Sequence, residues 1–270
     1  MTVPIHPIAD LPLGPVTISR WTAIIPAAGR GSRLGSDRPK ILYPILDKPI
    51  LCWLLDALVP ACGEFVLVVS PEGYPAIGPV ARQRLGASLK LVIQERPAGM
   101  ADAVRLAAAA VRTEFAVVLW GDQVTVRAET IRACAALHER RPNATLTFAT
   151  AMKANPYTDI ERDADGRIVR VRQQREGDVE RAIGENDCGL FLFTLSTLMA
   201  VLENTDGDAR GERTGEVNLL QMLPAFERGT GSVATVRLAG PDETLGVNTA
   251  EEAAAAAAVL TARHCSDALG

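Results

Sequence analysis

Histidine is scarce in this sequence and cysteine is never paired. His6, His138 and His264 are the only histidines. None lies beside another metal-ligating side chain, which argues against a zinc site. The five cysteines, Cys52, Cys62, Cys134, Cys188 and Cys265, are odd in number and form no C-x-x-C pair. They read as reduced, mostly buried thiols of a cytoplasmic protein rather than a disulfide framework. Runs of lysine or arginine are absent and the net charge is −4 over 270 residues, which excludes a broad nucleic-acid surface. A weakly acidic chain binds an anion only through a focused local site. No apolar stretch reaches the roughly 18 residues that cross a bilayer, so no membrane partner is expected. The first 13 residues have no basic start or continuous apolar run, and Pro4, Pro7 and Pro12 interrupt them, unlike a secretory leader.

Apolar residues are plentiful, at 48%, enough for a sizeable core. Strand-like runs at 21–26, 65–70, 89–94, 115–120 and 144–150 alternate with helix-like segments at 49–61, 99–111 and 127–140. Continuous Val, Ile and Leu runs imply strands buried on both faces. Their alternation with helices implies parallel pairing through right-handed crossovers. The rhythm changes after about residue 150. Residues 157–174 alternate around Asp165-Gly166, a hairpin turn signal. A strand follows at 189–194, then a helix at 195–203, a polar loop at 204–214, a helix at 215–228 and a strand at 232–238. Thr249 opens the last helix, with Glu252 completing a capping box ahead of an alanine run at 253–258. The expected architecture is α/β: a Rossmann-like, mixed but mainly parallel sheet flanked by helices, with an irregular second half containing the hairpin. Residues 21–265 read as one domain. Residues 1–20 read as a proline-marked extension, mobile or laid on the surface.

The most informative segment follows the first strand: Ala27-Ala28-Gly29-Arg30-Gly31-Ser32-Arg33-Leu34-Gly35-Ser36-Asp37-Arg38-Pro39-Lys40. Small residues and glycines let backbone N–H groups approach a polyphosphate. Arg33 and Lys40 add two fixed cations, which a triphosphate needs before another phosphate can approach it. Two familiar phosphate loops are excluded. Leu34 stands where the third glycine of G-x-G-x-x-G would be, and Ser70, not a carboxylate, closes the second strand. There is no Gly-Lys for a Walker A loop. Further on, Asp122 follows a buried strand at the carboxyl edge of the sheet, where open α/β sheets bind ligands. A carboxylate there suits Mg²⁺, a hard ion that takes few protein oxygens.

The loop resembles the L-x-A-G-x-G-T/S-R-(x)n-P-K signature of sugar-phosphate nucleotidyltransferases, and in length it is close to the uridylyltransferase domain of the N-acetylglucosamine-1-phosphate uridylyltransferases. The likeness continues in order. Gln94-Glu95-Arg96-Pro97-Ala98-Gly99-Met100-Ala101-Asp102-Ala103 resembles the family's Q-x-x-x-x-G-T-x-x-A, and Trp120-Gly121-Asp122 its G-D. Gly215-Glu216 and Gly246-Val247-Asn248 resemble its late G-E and G-V-N. The resemblance implies transfer of a nucleoside monophosphate from an NTP to a phosphorylated small molecule, releasing pyrophosphate. It implies Arg33, Lys40 and Asp122 as catalytic residues, and Mg²⁺ held by Asp122 and Asn248. Ala27, Ala28, Gly29, Arg30, Gly31, Gln94, Gly99 and Gly121 would bind the nucleotide. Gln94 would read the base, its amide both donating and accepting, which favours a pyrimidine and UTP first.

On the acceptor side the sequence departs from the family. Asp187 stands for its Asn, Gln173 for its Glu and Met100 for its Thr. Met100, Gln173, Arg175 and Asp187 are the expected acceptor-binding residues, with Arg172 or Arg175 near the acceptor phosphate. The altered polarity implies an acceptor other than N-acetylglucosamine 1-phosphate, and Asp187 would offer an added carboxylate to amine or hydroxyl donors. Two alternatives stay open: a cytidylyltransferase acting on a non-sugar phosphate or phosphonate, and a non-catalytic nucleotide-binding regulator.

Overall fold

A computed structural model describes residues 3–12, 14–29, 31–35, 37–204, 209–227 and 231–267, with side chains through residue 265 apart from Ser32. In chain order the elements are β1 (Ile5–Pro7), β2 (Trp21–Pro26), the two-residue strands β3 (Pro44–Ile45) and β4 (Lys48–Pro49), α1 (Ile50–Leu58), β5 (Glu64–Val69), α2 (Tyr74–Leu85), β6 (Leu89–Ile93), α3 (Met100–Ala108), β7 (Phe115–Leu119), α4 (Ala128–Arg140), β8 (Ala144–Ala154), β9 (Thr158–Arg162), β10 (Ile168–Gln173), β11 (Ile183–Thr194), α5 (Leu195–Asn204), a 3₁₀ segment Leu219–Glu227, β12 (Ser232–Arg237) and α6 (Ala250–Asp267).

Eight strands form one sheet in the order β1-β12-β8-β11-β7-β2-β5-β6. β11 runs antiparallel to β7 and β8; the other pairings are parallel. The sheet is therefore mixed and mainly parallel, as expected. β9 and β10 pair separately as the hairpin around Asp165-Gly166. Both faces of β2, β5 and β7 are covered, which is why these strands read as unbroken apolar runs. Trp21, Ala23, Ile25, Leu67 and Val117 face α1, α4 and α6, while Ile24, Val66, Val68 and Val118 face α3, α5 and the 3₁₀ segment.

Chain order fixes where a ligand can sit. From β2 the chain moves outward through β5 to β6, then returns to place β7 on the other side of β2. The loops after β2 and β7 thus leave adjacent strand ends in opposite directions, and open a crevice at the carboxyl edge between them. Gly121 makes the closeness possible: a Cβ there would lie 2.4 Å from the carbonyl oxygen of Pro26.

Four sequence expectations are revised. The segment read as an N-terminal extension contributes β1, which lengthens the sheet beyond β12. Arg20 and Thr17 then tie it to Glu114 and Glu139. Helix α2 lies in a stretch to which the sequence analysis assigned no element; Pro75 falls in its first turn, where no N–H is needed, and Pro79 lies inside it. The helix read at 215–228 is, among the described residues, a 3₁₀ segment over Leu219–Glu227 enclosing Pro224. Gly215 has φ +68° and Val217 bridges to Arg210, so the helix cannot start earlier. β6 is an edge strand, only partly covered. The capping box forms: Glu252 N–H donates to Thr249 Oγ1 at 3.2 Å, and Thr249 N–H donates to Glu252 Oε2 at 3.0 Å.

Candidate active site

The loop after β2 folds back on itself. Leu34 N–H donates to the Gly31 carbonyl and Lys40 N–H to the Gly29 carbonyl. Gly31 sits at φ +71°, where a Cβ would lie 2.9 Å from the Lys40 Cα, so the turn needs glycine for both conformation and space. Ile41, buried just beyond, anchors the short 3₁₀ turn Lys40–Leu42. Lys40 is thereby aimed across the crevice at the loop after β7.

There the Lys40 ammonium donates to Asp122 Oδ2 at 2.7 Å and to Asn248 Oδ1 at 2.7 Å. Arg33 Nη2 donates to the same Asn248 oxygen at 3.3 Å. With two cations as donors, the Asn248 atom facing them must be its oxygen. The main chain holds this cluster together: Val247 N–H donates to the Asp122 carbonyl at 3.0 Å, and Asn248 N–H donates to Glu252 Oε2 at 2.6 Å. The capping glutamate of α6 therefore also positions Asn248. Lys40 and Asp122 are both largely buried. Arg33 is exposed, whereas Lys40 is folded into the ion pair.

Two cavities meet at this cluster. The first, of about 230 Å³, is lined by Ala27, Ala28, Gly29, Gln94, Gly99 and Gly121. The second, of about 400 Å³, lies toward the hairpin and is lined by Gln173, Asp187, Asn218, Gln123, Lys153 and Arg33. Lys40, Asp122, Met100 and Arg175 line both. Six of the expected nucleotide-binding residues thus line the first cavity, while of the expected acceptor residues Gln173 and Asp187 line the second alone and Met100 and Arg175 line both. Arg33, read as a triphosphate ligand, opens onto the second cavity. Gly31 supports the loop from behind Lys40. Arg30 lies outside the described residues. Arg172 bonds Glu161 and Glu180 and lines neither cavity, so of the two candidate arginines only Arg175 reaches the crevice.

Gln94 is buried at the end of β6. Its Nε2 donates to Asp102 Oδ2 at 2.8 Å, and at longer range to the Gly99 carbonyl. The amide nitrogen is committed inside the protein, so the free donor expected from the sequence is already used.

Polar groups in the second cavity are unevenly satisfied. Gln173 Nε2, Asn218 Nδ2, and Arg175 Nε and Nη2 are buried with no hydrogen-bond partner among the described residues. Asp187, by contrast, accepts from Thr158 Oγ1 at 2.7 Å and from Gly189 N–H at 2.7 Å. Burial pushes its carboxyl above the usual range, against the pull of those two bonds. Asp187 is therefore largely satisfied from within, which corrects the expectation that it offers a free carboxylate. Burial lowers the Lys153 ammonium, while Asp187 and Glu252 oppose the shift. The unpartnered groups along this cavity are mainly donors, the Gln173 and Asn218 amide nitrogens and Arg175, with Gln123 Oε1 an acceptor among them. Sequence reading passed over Gln123, Lys153 and Asn218. Gln123 directly follows the Gly-Asp pair and Asn218 lies two residues after Gly215-Glu216, so adjacency to a motif was the available signal.

The family described as the MobA-like NTP transferase domain matches residues 23–213. The chain is 32% identical over 247 residues to the bifunctional protein GlmU of Heliobacterium modesticaldum, covering 90% of this chain and 52% of that protein. Against GlmU of Anaeromyxobacter sp. it is 34% identical over 252 residues, covering 91% and 50%. The chain thus spans about half the length of these curated relatives. Among solved structures, the inositol-1-phosphate CTP transferase of T. maritima superposes with a TM-score of 0.64 at 18% identity, covering 88% of this chain and 92% of that one. A Bacillus anthracis chain described as a glucose-1-phosphate thymidylyltransferase gives 0.70 at 16% identity, covering 88% and 94%. At these identities both report the fold. Among the described residues no helix is long and apolar enough to cross a membrane.

Proposed function

The chain belongs to the MobA-like NTP transferase domain family, and from that premise we propose that it transfers a nucleoside monophosphate from an NTP, UTP first, to a sugar 1-phosphate other than N-acetylglucosamine 1-phosphate. The observation that carries the proposal is the cluster of Lys40, Asp122 and Asn248 on the wall shared by two cavities. An α-phosphorus placed beside that wall can be reached by an acceptor phosphate from the other cavity.

The chemistry asks little of a general base. An acceptor phosphate oxygen is already ionised; it attacks the α-phosphorus as pyrophosphate leaves, with no covalent enzyme intermediate. Positioning and charge neutralisation supply most of the rate. Backbone N–H groups of the loop after β2 cradle the phosphates. Lys40 and Arg33 neutralise them, and Arg175, shared by both cavities, meets the acceptor phosphate. The donor set fits Mg²⁺: one carboxylate and one amide oxygen already converge on a single cation, the Lys40 ammonium, at 2.7 Å each. Among the described residues no group of three or more His, Cys, Asp or Glu side chains gathers to hold a metal. Asp122 and Asn248 would then hold the ion alone, which suits a cation that keeps phosphate and water in its shell. Bound there, Mg²⁺ would neutralise developing phosphate charge. Four described cysteines are buried and unbridged, which supports a reducing, cytoplasmic setting.

The acceptor cavity supports a polyhydroxylated phosphate. Unpartnered buried N–H groups cost free energy until a ligand supplies lone pairs, as phosphate and hydroxyl oxygens do. Gln173→Leu and Asn218→Leu are each expected to raise the acceptor KM about 5- to 100-fold, from a loss of about 1–3 kcal/mol, while the KM for the NTP stays within about twofold. A larger effect on the NTP than on the acceptor in initial-rate kinetics would remove these residues from the acceptor site.

A second reading, CTP with a non-sugar phosphate or phosphonate, fits the same base contact: a lone-pair oxygen of Gln94 turned to the first cavity accepts from the exocyclic amine of cytosine as from N3–H of uracil. Pyrophosphate release across four NTPs and a panel of sugar phosphates, polyol phosphates and phosphonates separates the readings. Efficient UTP-dependent turnover of N-acetylglucosamine 1-phosphate, matching the best acceptor, would sink the acceptor assignment. No release with any pair would leave only the non-catalytic regulator.

A further inference from the structure

Asp102 lies in the first turn of α3, behind Gln94, and both its carboxylate oxygens are committed. Oδ1 accepts from Arg105 Nη2 at 2.6 Å and Oδ2 from Gln94 Nε2 at 2.8 Å. A carboxylate can only accept, so the Gln94 atom it faces must be the nitrogen. That removes the usual freedom of a primary amide to turn over. Gln94 is 6% exposed and lines the cavity, its second amide hydrogen points back toward the Gly99 carbonyl at 3.4 Å, and no hydrogen bond to its Oε1 is made among the described residues. The side chain therefore meets the cavity as a pure acceptor.

We propose that Asp102 is a positioning residue for nucleotide selection: it locks the Gln94 amide so that only lone pairs face the base, and the base must bring an N–H to that point. The proposal rests on the reading that Gln94 contacts the base. Uracil and thymine present N3–H at the centre of the pairing edge, and cytosine presents N4–H at its end. A fixed acceptor can align well with only one of these. A freely turning amide would accommodate either base by exchanging its oxygen and nitrogen. Selection thus depends on a residue behind the one that touches the ligand. Arg105 holds the outer oxygen of Asp102 and so orients the carboxylate.

Equilibrium binding tests this without knowledge of the acceptor. Affinities for UTP, CTP, ATP and GTP are measured by calorimetry with Mg²⁺ for the wild type, Asp102→Ala, Asp102→Asn and Gln94→Ala. In Asp102→Ala the preferred nucleotide should bind about tenfold more weakly and the margin over the runner-up should shrink to about twofold, with an unchanged melting profile. Asp102→Asn should restore the wild-type ranking, because its Oδ1 can still accept from Gln94 Nε2 while the exposed Arg105 moves aside. Gln94→Ala should flatten the ranking as Asp102→Ala does. If Gln94→Ala flattens the ranking and Asp102→Ala leaves it intact, positioning by Asp102 is overturned while the base contact survives. Equal weakening of all four nucleotides in Asp102→Ala also overturns it, since that marks general disruption. An unaltered ranking in Gln94→Ala overturns the base contact and the lock together.

Discussion

Replacing Asp122 by Ala is expected to lower turnover by about a thousandfold or more, with the fold intact. The expectation rests on where the charge sits. Among the described residues Asp122 is the carboxylate that lines both cavities, and it accepts directly from Lys40. Losing one group that organises charge at a reacting centre costs about 2.7–4 kcal/mol. Losing this one also frees the Lys40 ammonium and removes half of the proposed metal site. The backbone is held by other bonds: the Asp122 carbonyl accepts from Val124 and Val247 N–H groups, which the substitution leaves in place. Unfolding should therefore change little, and NTP affinity should fall far less than turnover. Asp122→Asn keeps an oxygen but loses the charge, so it should lie between the two and need more Mg²⁺ to reach half its maximal rate. Wild-type turnover in Asp122→Ala, measured by pyrophosphate release, would remove Asp122 from the chemistry and the metal site with it.

The parts of this protein that could be read from sequence are those set by local pattern. Buried parallel strands leave continuous apolar runs, and β2, β5 and β7 were legible for that reason. The Thr249–Glu252 capping box was legible because four residues specify it. The loop after β2 was legible because glycine spacing, Pro39 and Lys40 lie within one segment. Tertiary partners were not legible. The reading of Gln94 as a two-sided hydrogen-bonding group did not include Asp102, although only eight residues separate them. Asp187 read as a free carboxylate because its partner Thr158 lies on the hairpin, 29 positions away. β1 was read as an arm because three residues, one of them Pro7 and preceded by Pro4, carry almost no strand signal; pairing with β12, more than two hundred residues later, makes it a strand. Each failure has one cause: the partner that satisfies a group is set by how elements pack in three dimensions and not by the local sequence pattern.

Lys40→Ala is expected to reduce turnover by about 10²- to 10³-fold and to raise the KM for the NTP, while lowering the melting temperature by only about 2–4 °C. Two roles compete for this side chain. As a structural residue, Lys40 pairs with Asp122 and bridges to Asn248, joining the loops after β2 and β7 to the start of α6. As a functional one, it brings the only lysine ammonium that lines both cavities to the place where phosphate charge must be neutralised. Magnitude separates them. Both side chains line cavities that open to solvent, so water takes the place of the ammonium at Asp122 and the stability at stake is about 1 kcal/mol, below the roughly 3–5 kcal/mol of a fully enclosed pair. A fixed cation beside a triphosphate is worth about 2.7–4 kcal/mol of barrier, because it is already in place when charge develops. Lys40→Arg should not restore the rate. Its planar fork is longer, and Gly31 already packs against the Lys40 backbone, leaving no room to draw the larger head back between Asp122 and Asn248. Parallel thermal melts and initial rates decide the matter: if Lys40→Ala melts several degrees lower yet turns over at the wild-type rate, the residue is a strut between loops and the phosphate assignment falls.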